Sequence, residues 1–243
     1  MTKIQISKDF PLFHQISFSN APELYEPNAD TLDLISKVGM ENYRLWNLES
    51  ARELISSTYG KETVRTFDSL NAFASKSNVA RYCITNNFGG TYLDLSVGKL
   101  KPFENDESDM VIFKEGDSSK TSWKVANSFF YSCSNNPVLI ECLEEISRNV
   151  KNKYYGHDPH FIGGPSVFGR AIAKFGLDID LNVGSYHWFK HRRNKYVLPD
   201  GTVVARHKRG GAYSGGISGV LGGNNYNELW NRRAIYNEEV QKS

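Results

Sequence analysis

Residues 76–97 read KSNVARYCITNNFGGTYLDLSV, and the change of rhythm inside them decides the fold. Val79, Ala80, Cys83, Ile84 and Phe88 recur every three or four residues, which marks one apolar face of a helix. The glycine pair Gly89 and Gly90 suits a helix C-terminus, where the chain often enters the left-handed region that glycine adopts freely. Thr91, Tyr92, Leu93 and Val97 then carry the β-branched and aromatic character of a buried strand. The strand reading leaves Asp94 and Ser96 at its C-terminal end, on the same side of the chain. Open α/β sheets bind ligands at that edge. A lone carboxylate there has two readings: a ligand for a hard divalent cation such as Mg²⁺ or Mn²⁺, or a solvated acid that ends a strand.

Upstream, residues 10–18 read as a first strand bounded by Pro11 and by Asn20, Ala21 and Pro22. His14 and Gln15 lie within it, and His14 taken alone reads as a hydrogen-bonded core histidine. Residues 30–39 suit a helix stopped at Gly39, residues 43–46 a second strand, and Asn47 opens a helix that runs to Gly60. Val64, Phe67, Leu70, Phe73 and Ala74 form an inward stripe that predicts continued helix over 61–75. The alternation predicts an α/β fold with a mainly parallel central sheet flanked by helices. Downstream, residues 109–113 and 127–132 read as strands. Pro137 starts a helix with Leu139, Ile140, Leu143 and Ile146 inward.

The loop 154–160, YYGHDPH, leads to Gly163, Gly164 and Pro165 and then to another helix. His157 and Asp158 are its best polar candidates, either for contacts to a sugar or oxyanion or for the local hydrogen bonds of a plain turn. Residues 196–205 form a hairpin around Pro199, Asp200 and Gly201. Arg206, His207, Lys208, Arg209 and the glycines after them suit either closure over a diphosphate or a solvated basic turn. Residues 224–236 read as a final capped helix.

A chain of 243 residues fits one large domain, taken as residues 1–243, with a basic, glycine-rich segment from about 187 onward closing over the site. The net charge of +2 argues against a dedicated nucleic-acid binder, although Lys190, Arg192, Arg193, Lys195, Arg206, Lys208 and Arg209 face only Asp200 within their segment. Three cysteines without metal-type spacing predict neither a disulfide framework nor a zinc site; Cys83 and Cys142 read as core residues. No signal-like or membrane-spanning apolar run appears, so the expectation is a soluble cytoplasmic protein with possible peripheral contact with the inner membrane face.

The stretch 76–96 resembles glycosyltransferase family 32, the family whose sugar-binding region contains the DXD motif. Its pattern K-S-D-x-A-R-Y followed by G-G-x-Y-L-D-x-D is met by Lys76, Ser77, Ala80, Arg81, Tyr82, Gly89, Gly90, Tyr92, Leu93 and Asp94. Asn78 and Ser96 stand where the pattern has acids. Residues 10–18 are similar to the family's opening strand, with Ser17 for its tryptophan; residues 43–46 resemble its Y-x-x-x-L-W segment, and Gly163, Gly164 and Pro165 its later T-G-P.

The resemblance implies a GT-A (Rossmann-like) nucleotide-sugar-binding fold. It further implies transfer, with retention of configuration, of a sugar from a UDP- or GDP-sugar donor to a glycan or lipid-linked saccharide acceptor, of the bacterial lipopolysaccharide or capsule type. It assigns His14, Gln15, Asn78, Arg81, Tyr92, Gly89, Gly90, Gly164, His207 and Lys208 to the donor. Asp94, Asp158 and His157 become the catalytic candidates, and Asp94, Ser96 and His207 the ligands of a Mn²⁺ or Mg²⁺ ion. The replaced acids keep a second expectation open: a non-catalytic nucleotide- or glycan-binding module on the same fold.

Overall fold

The computed structural model describes residues 12–19, 27, 29–98, 101, 108–116, 121–187, 194–207 and 225–242. In chain order the elements are β1 (Phe13–Ile16), α1 (Ala29–Val38), β2 (Tyr43–Trp46), α2 (Leu48–Thr58), α3 (Gly60–Asp68), α4 (Phe73–Phe88), β3 (Gly90–Leu93), β4 (Val97–Gly98), β5 (Met110–Glu115) and β6 (Val125–Ser132). There follow α5 (Pro137–Lys151), α6 (His160–Gly163), α7 (Pro165–Phe175), β7 (Leu181–His187), β8 (Lys195–Val197), β9 (Val203–His207), α8 (Tyr226–Asn231) and α9 (Glu238–Lys242).

All nine described strands join one sheet in the order β2-β1-β3-β6-β5-β7-β8-β9-β4. The fold is mixed α/β, and the expectation of a mainly parallel sheet fails. Of the eight pairings only β1 with β2, β1 with β3 and β5 with β7 are parallel. The reason is local. Helices separate β1, β2 and β3, so those strands can run alongside one another, whereas no described helix intervenes between β5 and β6 or among β7, β8 and β9, and these pair as antiparallel neighbours. The three-residue turn after β3 reaches β4 at the far end of the order, so the sheet curls round.

Alternation along the strands splits the core between two faces. Met110 and Ile112 of β5 pack with the helices, while Val111 and Phe113 belong to the cluster on the opposite face. There Phe113, Phe129 and Tyr196 meet with ring centroids 5.1–5.3 Å apart, contacts worth about 0.5–1.5 kcal/mol each beyond area burial. Cys83 and Cys142 are buried in the helical face.

Two element boundaries and one helix face also depart from the sequence pattern. The helix expected over 61–75 breaks after Asp68 because the C-terminal segment docks there. Asn71 N–H donates to Ile235 O at 2.7 Å, Asn237 N–H to Ser69 O at 2.8 Å, and Leu70 bridges Tyr236. The same docking ends the last helix at Asn231, short of Ile235 and Tyr236. On α5 the buried stripe is Val138, Leu139, Cys142, Ile146 and Val150, with Ile140 exposed at 43%.

Candidate functional site

Helix α4 aims the site. Its C-cap Gly89 lies at φ +67°, and Gly90 at φ +100° passes so close to β1 that a Cβ would sit 2.3 Å from Leu12 O. Side chains rarely adopt that backbone region, so the turn and the close approach both require glycine. His14 locks the same junction. Its Nε2–H donates to Gly89 O at 3.0 Å, and Nδ1 accepts from Trp46 Nε1–H at 3.3 Å. Burial pushes its pKa down to about 4; the Gly89 carbonyl opposes the shift and the Arg44 charge adds to it. Gln15, equally buried, accepts from Tyr43 Oη at 2.8 Å and Thr31 Oγ1 at 3.3 Å beneath α1. His14, Gly89 and Gly90 therefore hold the amino end of β3.

At the carboxyl end, Asp94 leaves the strand in a turn closed by Val97 N–H donating to Asp94 O at 2.9 Å. The strand read through 91–97 is thus two strands, β3 and β4, with Asp94 and Ser96 in the turn between them. Asp94 Oδ1 accepts from Tyr92 Oη at 2.6 Å and pairs with Arg81 Nη1 at 3.2 Å. The Arg81 guanidinium lies 4.6 Å from the Tyr92 ring centroid and donates to Ser77 O and Asn127 O. Burial works against its charge, but Asp94 and the surrounding tyrosines outweigh that and hold its pKa above the ordinary value. Burial also raises the Tyr92 pKa, so this phenol keeps its proton for Asp94. Among the described residues, Arg81 Nη2 and Asp94 Oδ2 have no hydrogen-bond partner.

Asn78 joins this cluster through Asn127, whose Nδ2 donates to Asn78 Oδ1 at 3.0 Å and to Tyr82 Oη at 3.1 Å. Tyr82 Oη in turn donates to Gly163 O at 3.3 Å. Gly164 is the buried N-cap residue of α7. Asn127 and the neighbouring Ser128, whose Oγ lies 2.8 Å from Tyr196 Oη, were not singled out from the sequence. Their signal is an adjacent polar pair in the middle of the strand VANSFFYS.

Asp158 and His157 stand apart from Asp94: no described hydrogen bond or ion pair links them to it. Asp158 accepts from His160 N–H at 2.8 Å and from Lys124 Nζ at 3.1 Å. Glu115 lies near Lys124 and Asp158, and its burial raises its pKa. His157 is exposed against Phe161. The backbone of His207 pairs with Val97, beside the Asp94 turn. Lys208 lies outside the described residues. Two clefts of about 490 and 500 Å³ open between α3 and α5, lined by Thr66 and Ser147 among others and by none of the Asp94 cluster.

The resemblance implies a divalent cation at this turn. The turn offers one carboxylate, whose Oδ1 already meets two donors, and the neutral Ser96 hydroxyl. Among the described residues no group of three His, Cys, Asp or Glu side chains converges anywhere. Asp94 and Ser96 alone do not fit a divalent cation, and the side chain of His207, the third ligand that the resemblance implies, lies outside the described residues.

The sequence of residues 18–116, which contains Asn78, Arg81, Tyr92, Asp94 and Ser96, matches the family model of the glycosyltransferase sugar-binding region containing DXD motif. No curated protein matches the chain. Among solved structures it is similar to the PaToxG glycosyltransferase, with a TM-score of 0.49 and 14% identity over 68% of this chain and 69% of that one. It is also similar to the UDP-bound and ligand-free glycosyltransferase domain from the YGT toxin, each with a TM-score of 0.42 and 9% identity over 63% of this chain. The chain spans 54% and 56% of those two structures.

Proposed function

We propose that this chain is a GT-A-type glycosyltransferase that moves a sugar from a UDP- or GDP-sugar to a hydroxyl of a glycan acceptor with retention of configuration. The observation that carries the reading is the Arg81, Tyr92 and Asp94 cluster at the carboxyl end of β3, inside the segment that matches the sugar-binding family model. The reaction requires the departing diphosphate to be neutralised and the sugar to be held in a site poor in water. Arg81 Nη2 supplies a fixed positive donor and Asp94 Oδ2 a fixed acceptor for a sugar or ribose hydroxyl, with Asn78 beside them. The bond from the anomeric carbon to the diphosphate breaks and the acceptor oxygen bonds to that carbon on the same face. The leaving phosphate oxygen takes the acceptor's proton.

The acceptor in this reading is a lipid-linked saccharide of surface-polysaccharide assembly, met at the cytoplasmic membrane face. The cationic residues between 190 and 209 support it through their attraction to anionic headgroups. Among the described residues no helix is long and apolar enough to cross a membrane.

Hydrolysis or transfer from radiolabelled UDP- and GDP-hexoses tests the activity. Wild type turns over one donor class, and Asp94→Asn, which retains an acceptor for Tyr92, loses at least ~100-fold, about 2.7 kcal/mol of transition-state stabilisation. Asp94→Asn turning over at the wild-type rate overturns the assignment.

A further inference from the structure

We infer that the Arg81 guanidinium does the electrostatic work of a divalent cation in this chain, so that the donor diphosphate binds without metal. The inference rests on the donor-site reading above and concerns the charge of that same site. The pattern that this stretch resembles has acids at the positions of Asn78, Asp94 and Ser96; here only Asp94 is charged. The two neutral replacements remove two negative charges, the same change of net charge that a bound divalent cation makes. What remains is one carboxylate against one guanidinium, a neutral pair, to which a diphosphate brings the excess negative charge.

The geometry supports the substitution. Arg81 cannot deprotonate, its side chain is 6% exposed, and bonds to Ser77 O and Asn127 O together with the Tyr92 ring fix its plane. A buried, immobilised cation acts strongly on an anion because little water screens it and no side-chain entropy is lost on binding. A metal ion on the open Oδ2 of Asp94 would face this guanidinium at close range, and the repulsion of like charges disfavours it. Nη2, open among the described residues, leaves Arg81 a donor for a phosphate oxygen.

Isothermal titration of UDP and GDP, each in EDTA and in Mn²⁺, tests the inference on wild type and on Ser96→Asp and Arg81→Gln, with circular dichroism to confirm folding. Wild type binds one nucleotide with dissociation constants within threefold in the two conditions. Ser96→Asp, which restores a second carboxylate, binds at least tenfold tighter in Mn²⁺ than in EDTA, and folded Arg81→Gln binds at least thirtyfold weaker than wild type in EDTA. A wild-type affinity that falls more than tenfold in EDTA overturns the inference and leaves the donor site standing. So does a folded Arg81→Gln that binds as wild type does. A Ser96→Asp variant indifferent to Mn²⁺ overturns the part assigned to the missing acid. Binding of neither nucleotide in any condition overturns the donor-site reading itself, and this inference with it.

Discussion

At the amino end of β3 the chain bonds both ring nitrogens of His14 and seals a glycine junction, burying even the unbonded Thr91 hydroxyl, whereas at the carboxyl end, ~13 Å away along four residues, it fixes its polar groups and leaves atoms open. His14 has both ring nitrogens bonded within the protein, and Gly90 leaves no room for a side chain beside Leu12. Asp94 and Arg81 are held as firmly on one side, yet Oδ2 and Nη2 meet nothing among the described residues. The same strand thus separates a junction built for stability from one that retains unspent hydrogen-bonding capacity. Substitutions at the first should change folding, and those at the second should change binding.

The largest expected effect lies at the closed end. Gly90→Ala places a Cβ against Leu12 O at a positive φ and should cost at least about 4 kcal/mol in urea unfolding, enough to leave little folded protein. Next comes acid. His14 has a folded pKa of about 4 against an ordinary 6.5, so the unfolded chain binds its proton first as pH falls. The stability that His14 contributes is complete above pH 6.5 and is lost progressively as pH falls from 6.5 to about 4, by about 3 kcal/mol in all. Melting temperature measured across that window should fall, and His14→Gln should flatten the His14 part of the slope.

The span between the two ends was only partly legible in the sequence. The three- and four-residue spacing of Val79 to Phe88 gave α4 and its stop at Gly89, because a helix against a sheet must repeat its apolar face. Arg81 and Asp94 were legible for a different reason: they lie in one short motif and their contact is made within it. Sheet direction was not legible, since strand-like residues look the same whether the next connection is a helix or a hairpin. The break at residues 69–72 depends on pairing with residues 235–237, more than 160 positions later, which no local pattern records. Asn127 went unnoticed for the same reason. A polar residue in a strand acquires its meaning only when Arg81, Asn78 and Tyr82 are brought to it.

Asn127 sharpens the comparison because it supports the open end without belonging to it. Asn127→Ala leaves its carbonyl for Arg81 but removes the amide that holds Asn78 and Tyr82, with an expected cost of about 1–2 kcal/mol in unfolding and weaker nucleotide binding through Asn78. The smallest effect is expected at Ile140. It lies on the exposed side of α5, so Ile140→Gln should change stability by no more than about 0.5 kcal/mol, while Leu139→Ala on the buried side costs about 2–5 kcal/mol.

Hydrogen exchange with and without saturating UDP or GDP tests the division between the two ends most directly. The division predicts that nucleotide slows exchange of the amides at residues 94–97 and 127–128, leaves those at residues 89–90 unchanged, and protects Asp94→Asn less than wild type. Protection confined to the amino end of β3, or to the clefts between α3 and α5, would contradict it.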